Sequence, residues 1–300
     1  MSVKWTAAHL PDLTGRTFVI TGATGGIGLV ATRELARAGA DVVMAVRDPA
    51  KGARVADTFG RGRGRIDVRR LDVASLESVR AFADSWTGPL DVLINNAGVM
   101  MVPYASTHEG LESQTATNYF GPFALTNALL PHVTDRVVHV ASQLHRLGTV
   151  RPDDLNWQKR EYDPWKAYCD SKLGLLLFSH ELQRRLDAVG SPVRSVVAHP
   201  GIARTNLVSH VGGVAGWLNG LARPLLNDAE HGGLPTLFAA TQEVGGNAYV
   251  GPDGIASVRG YPKVRRASRS AREPESAAAL WDATVRIVGP DFSFALDRPS

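Results

Sequence analysis

From Arg16 onward, short apolar runs alternate with stretches of helical periodicity, and the alternation repeats six times with short connections. Residues 16–21 read as a strand, and residues 26–38 as a helix ended by Gly39. A second strand at 41–46 leads into a second helix at 49–59. Strands are expected again at 65–70, 90–94, 136–140 and 193–198, with helices near 76–86, 110–130 and 165–189. The runs are apolar at nearly every position, as in strands covered on both faces. Strands joined by helices pair in parallel, and right-handed crossovers wind such a chain into an α/β doubly wound sheet with helices on both faces.

The remainder of the chain follows a different pattern. Residues 206–227 are apolar and glycine-rich, 229–241 read as a helix, 248–250 as a short last strand and 275–288 as a closing helix. Residues 261–272 carry Lys263, Arg265, Arg266, Arg269 and Arg272 and are expected to form a solvated basic loop. No linker divides the 300 residues, so one domain over 1–300 is expected. A net charge of +4 does not argue for a nucleic-acid partner.

Residues 17–32 lack charge but are too short and glycine-rich to span a bilayer. Residues 114–134 carry Gln114, Asn118, Pro122 and Asn127, which suits a buried helix. The expectation is a protein without a membrane span. The first residues have no apolar core fit for a signal peptide, and Cys169, the only cysteine, fits a reducing compartment; a cytoplasmic location is expected. His108, His132, His139 and His145 show no zinc-ligand spacing, so no metal is expected.

Thr21 to Gly28 reads TGATGGIG and lies between the first strand and the first helix. Gly22, Gly26 and Gly28, with Thr24 and Ile27, would let a pyrophosphate approach the backbone at a helix N-terminus. No Gly-Lys-Ser/Thr follows, which excludes a nucleotide-triphosphate loop. At the end of the second strand, where NAD sites carry a carboxylate for the ribose, stand Val46 and Arg47. A guanidinium suits a 2′-phosphate, so NADP is expected in preference to NAD. Asp48 would neutralise Arg47, reach the ribose itself, or cap the helix that starts at Pro49.

The TGxxxGxG loop resembles that of the short-chain dehydrogenase/reductase superfamily, whose sheet is Rossmann-like, and later segments match in order and spacing. Asp72 and Val73 stand where the family contacts adenine, and Asn95-Asn96-Ala97-Gly98 matches its NNAG element, placing Asn95 and Ala97 beside the cofactor. Asn118 matches the family's structural and proton-relay Asn, and Ser142 its catalytic Ser. Tyr168 and Lys172 match YxxxK, and Pro200, Gly201 and Thr205 match the loop on the nicotinamide. Arg47-Asp48, the YCxSK form of the signature and His199-Pro200-Gly201 resemble the retinol dehydrogenase and protochlorophyllide reductase branch.

The resemblance implies a hydride moved between nicotinamide and a carbonyl or alcohol. Tyr168 and Lys172 are four apart, so on a helix they share a face. An ammonium nearby is expected to draw the phenol down from its usual ~10 toward the working range. Tyr168 would then be the general acid in reduction and the general base in oxidation. Lys172 would also bind the nicotinamide ribose, Ser142 would hold the substrate oxygen, and Asn118 a water leading to Lys172. The apolar stretch at about 206–228 would form a lid over a hydrophobic small-molecule carbonyl or alcohol. Uncharged residues in 110–130 and 171–179 fit a homodimer interface, and equally packing within one chain.

Rival readings are a non-catalytic NADP-binding redox sensor and an epimerase or dehydratase. A Ser–His hydrolase lacks its GxSxG elbow. Cys169 and His199 read as packing residues.

Overall fold

In the computed structural model, described for residues 4–60, 62–201, 228–292 and 294, seven parallel strands and one antiparallel edge strand form a single sheet. In chain order the strands are β1 (Thr17–Thr21), β2 (Asp41–Val46), β3 (Ile66–Arg70), β4 (Leu90–Asn95), β5 (Val133–Val140), β6 (Arg194–Ala198), β7 (Tyr249–Pro252) and β8 (Pro262–Arg265). Their spatial order is β3-β2-β1-β4-β5-β6-β7-β8. The order reverses between β1 and β4, which opens a crevice at the carboxyl ends of those strands.

Successive strand residues point to opposite faces, and each face has its own core. Phe18, Ile20, Val42, Met44, Val92 and Ile94 face one side, against α1 (Gly26–Arg37), α2 (Pro49–Asp57) and a later helix at Ala229–Thr241. Val19, Val43, Leu93 and Val137 face the other side. There they meet α3 (Leu76–Asp84), α4 (Ser113–Thr115), α5 (Gly121–Leu129) and α6 (Pro164–Ala188). The Ala229–Thr241 helix is α7, and α8 (Pro274–Val288) closes the second side. Several of the helices start on side-chain caps: Asp48 accepts from Lys51 N–H, Ser75 from Ser78, and Asp163 from Trp165 and Lys166. The last is reinforced by Pro164 at the first helical position.

Two expectations need correction. The helix expected over 110–130 begins only at Ser113, because Gly110 turns at φ +77 and the Glu112 carboxylate caps Gln114 and Thr115. It is then interrupted by a wide turn over Ala116–Phe120, closed by the Gly121 N–H bonding back to the Ala116 carbonyl. Gly121 lies so close to Val73 that a Cβ there would overlap the Val73 carbonyl oxygen. The basic stretch 261–272 is also not all loop, since Pro262–Arg265 pairs antiparallel with β7. Its charges hid it: an edge strand is held by backbone bonds and keeps charged side chains as protection against further pairing.

The uncharged residues of α5 and of the middle of α6 are buried within one chain, Phe123 and Leu125 completely. Packing in the monomer therefore accounts for them. Among the described residues no helix is long and apolar enough to cross a membrane.

Candidate active site

The glycine loop closes over the carboxyl end of β1, and β4 holds it there. Asn96 donates from Nδ2 to the carbonyls of Thr21 (2.8 Å) and Gly22 (3.3 Å). Thr21 Oγ1 accepts from the N–H groups of Asn96 (3.0 Å) and Ala97 (2.9 Å). A Cβ on Gly28 would come within 2.4 Å of Asn96 Nδ2 and 2.6 Å of the Gly22 carbonyl, so only glycine fits. Gly22 and Gly26 both take positive φ, and Ile27 is buried beneath the loop beside the half-buried Thr24. The result is a backbone cradle at the N-terminus of α1, suited to a pyrophosphate. Asn96 holds it together and was not among the residues singled out from sequence, although the NNAG pattern contains it.

Asn95 is turned away from this cradle. Its Nδ2 donates to Thr126 Oγ1 (2.8 Å) and meets His139 Nδ1 (3.3 Å) in the core, so only its backbone is left to face a cofactor. Asp72 sits after β3, its carboxylate accepting from Ala74 N–H (3.0 Å), with Val73 buried next to it. Arg47 is exposed after β2 with no hydrogen-bond or ion-pair partner among the described residues, and the Asp48 carboxylate is engaged as the α2 cap. Of the three roles open to Asp48, capping is the one observed. These residues fit a bound dinucleotide. Thr205, and the expected lid apart from Asp228, lie outside the described residues.

On the other side of the crevice, β5 and α6 bring the reactive groups together. Ser142 follows β5 by two residues and caps the short turn Gln143–Leu147, accepting from Leu144 N–H (3.2 Å). Tyr168, in the second turn of α6, is buried and hydrogen-bonded with Ser142. One helical turn on, Lys172 Nζ donates to the Val140 carbonyl (3.0 Å) and stands 5.9 Å from the Tyr168 ring centre. Asn118 lies in the wide turn before α5. Its amide makes three bonds: Oδ1 accepts from Val99 N–H (2.8 Å), and Nδ2 donates to the Val99 carbonyl (2.9 Å) and Ser171 Oγ (3.0 Å). A Cβ on Gly98 would stand 3.2 Å from Asn118 Oδ1 and 3.4 Å from Lys172 Nζ, so the NNAG glycine, the Asn and the Lys converge on one point.

The electrostatics differ from expectation. Burial pushes the Tyr168 phenol up to about 12, and the Ser142 hydrogen bond offsets only part of that. Burial also lowers the Lys172 ammonium to about 8. The expected lowering of the phenol by the ammonium is therefore corrected: desolvation penalises the charged form of each, and Lys172 is not among the groups that shift Tyr168. Tyr168 stands protonated at neutral pH, ready to give a proton. Cys169 is buried and its thiol raised to about 11, as expected for packing. His139 and His199 are completely buried and held neutral, each lowered to about 3 chiefly by burial. His145 binds the Ser142 carbonyl through Nδ1 (2.7 Å), and among the described residues no group of His, Cys, Asp and Glu could hold a metal.

A crevice at the strand-order reversal, a glycine cradle and a half-buried Ser142 beside buried Tyr168 and Lys172 define a nicotinamide-dependent oxidoreductase. The family model of short chain dehydrogenases matches residues 16–153. Human (Homo sapiens) retinol dehydrogenase 13 is 36% identical over 309 residues, spanning 95% of this chain and 88% of that protein. Polyprenol dehydrogenase of Mus musculus is 38% identical, over 93% of this chain and 86% of that one. A crystal structure of an uncharacterised protein from Mycobacterium paratuberculosis superimposes with a TM-score of 0.83 at 49% identity, covering 95% of this chain and 98% of that one. The chain belongs to the short-chain dehydrogenase/reductase family, on its retinol dehydrogenase-like branch. It is an NAD(P)-dependent enzyme acting on alcohol or carbonyl groups.

Proposed function

We propose that this enzyme uses NADP in preference to NAD and acts on small hydrophobic carbonyl compounds or alcohols, with Tyr168 as the acid–base group. The observation that carries this is the Ser142–Tyr168 hydrogen bond, with Lys172 one turn away and Asn118 beside it, facing the glycine cradle. The unpartnered Arg47 supports NADP, because a guanidinium is a forked donor for a 2′-phosphate.

A nicotinamide held in the crevice would supply the hydride to the substrate carbon. Ser142 orients the carbonyl oxygen, and Tyr168 gives that oxygen its proton; in oxidation the phenolate takes the proton back. Lys172 would hold the nicotinamide ribose, and Asn118 would position a water that returns protons through Lys172. The apolar preference draws on the names of two relatives, which are a retinol and a polyprenol dehydrogenase. The same reading includes a single domain over 1–300, a cytoplasmic location and a homodimer, which light scattering checks; such a dimer would need surfaces other than the buried faces of α5 and α6.

Aldehydes, ketones and secondary alcohols of graded lipophilicity, followed by NADPH absorbance with NADH as control, test the reading. Turnover is expected to rise with lipophilicity and to depend on Tyr168. Equal rates across the panel would remove the hydrophobic substrate, and substantial turnover by Tyr168→Phe would remove the acid–base assignment.

A further inference from the structure

A second cationic feature lies behind Ser142, away from the cofactor cradle. A cavity of about 520 Å³ is lined by Arg146, Tyr249, Ser257, Val264, Arg265 and Arg266. Three separate parts of the chain build it. Arg146 comes from the short turn that Ser142 caps, Tyr249 from β7, and Arg265 from the β8 position paired with Tyr249. Residues directly opposite on an antiparallel pair project to the same face, which puts the Arg265 side chain beside the phenol ring. Arg146 donates to Gln143 Oε1 (3.2 Å) and to the Arg266 carbonyl (3.2 Å), and Arg265 donates to Ser257 Oγ (3.2 Å).

None of these contacts is a carboxylate. Elsewhere arginines pair with acids: Arg16 and Arg194 with Asp135, Arg33 with Glu230, Arg65 with Asp41, and Arg184 with Glu181. Among the described residues no acid pairs with Arg146, Arg265 or Arg266, although three like charges line one cavity. Their field reaches inward, since repulsion from Arg146 and Arg265 adds to the burial that keeps His199 neutral. Tyr249 and the half-exposed Val264 give the same cavity an apolar wall.

A short chain of contacts links the cavity to the reactive group. Tyr249 OH donates to Gln143 Oε1 (3.2 Å), Gln143 follows Ser142, and Ser142 is bonded to Tyr168. At about 2 Å of rise per residue, the four steps from Ser142 to Arg146 span roughly 8 Å. The geometry points to a subsite for an anionic group, a carboxylate or phosphate, at the far end of an apolar substrate whose carbonyl sits at Ser142 and Tyr168. The subsite rests on the oxidoreductase reading for its purpose, and selects amphipathic acids over neutral compounds of the same length.

The test compares suberate semialdehyde with octanal as substrates, and measures binding of suberate itself to the full-length enzyme with NADP⁺ present. Wild type is expected to favour the acid aldehyde roughly tenfold or more in kcat/KM, as charge-assisted bonds from partly exposed arginines allow. Arg146→Gln with Arg266→Gln should bring that ratio to about one and weaken suberate binding by a similar factor. Arg266→Gln alone, at an exposed side chain without contacts, guards against a folding defect and should give part of the effect. If octanal is reduced but suberate neither binds nor gains from the arginines, the subsite is wrong and the enzyme reading stands. If suberate binds through the arginines and neither aldehyde is reduced, the subsite stands and the carbonyl-reduction reading fails.

Discussion

The carboxyl edge of the sheet presents positive potential at two places, built by opposite means. At β1 and β4 it comes from backbone N–H groups that the glycines leave uncovered and that Asn96 and Thr21 hold in position. Behind Ser142, at β7 and β8, it comes from guanidinium groups on a wall shared by three chain segments. The backbone cradle tolerates little change at Gly22 and Gly28, where an added Cβ would collide with Ala97 or with Asn96 and the Gly22 carbonyl. A side-chain wall is replaceable one group at a time. The first arrangement suits a ligand that never varies, and the second suits the variable part of a substrate.

Substitutions would sharpen this contrast, the severest at the cradle side. Tyr168→Phe should lower kcat about a thousandfold while leaving NADPH binding intact, since a lost general acid typically costs that much. NADPH fluorescence alongside turnover separates the two effects. Acid should act next most strongly, through the core both regions share. His139 and His199 have folded values near 3, well below the usual 6.5. Between those values the unfolded chain binds more protons than the folded one. Stability is thus full above about pH 6.5 and falls steadily toward pH 3, on the order of a few kcal/mol in all. Denaturant midpoints across that range check the slope, and His139→Gln should flatten it.

Gly28→Ala should weaken NADPH binding between ten- and a hundredfold, as a forced overlap costs about 1–3 kcal/mol. Titration calorimetry reads this directly, and unchanged affinity would break the claim that the cradle is intolerant. Arg47→Ala should reduce the proposed preference for NADPH over NADH about tenfold without altering stability. Smallest of all, Arg266→Ala should shift the thermal midpoint by less than about 0.5 kcal/mol equivalent, as for other exposed side chains without contacts.

The activity itself should depend on pH in opposite directions. With the phenol up at about 12, alcohol oxidation gains phenolate and speeds up as pH rises above neutrality. On the proposed mechanism reduction needs a protonated Tyr168 and a charged Lys172, so it should decline once the ammonium, lowered to about 8, begins to lose its proton.

The order of strands and helices and the glycine loop were legible because each rests on local spacing, whereas Asn118, Ser142, Tyr168 and Lys172 were singled out together only through the family resemblance. A strand buried on both faces needs an unbroken apolar run, and side chains four apart on a helix share a face whatever surrounds them. The break in the helix around Asn118 was not legible, because it is a feature of packing, with Gly121 lying against Val73 from a distant part of the chain. Nor was β8, whose charged sequence pairs only because β7 offers it an edge. The direction of the Tyr168 shift was likewise out of reach: proximity of Lys172 follows from spacing, but desolvation depends on everything packed around both groups. The grouping of Arg146, Arg265 and Arg266 is of the same kind. Sequence alone determined which chemical groups this chain carries and which neighbours along a helix or strand they keep. Tertiary structure decided which distant segments meet and how dry they become, because burial and long-range contact depend on the packed whole and are not encoded in the spacing of any one segment.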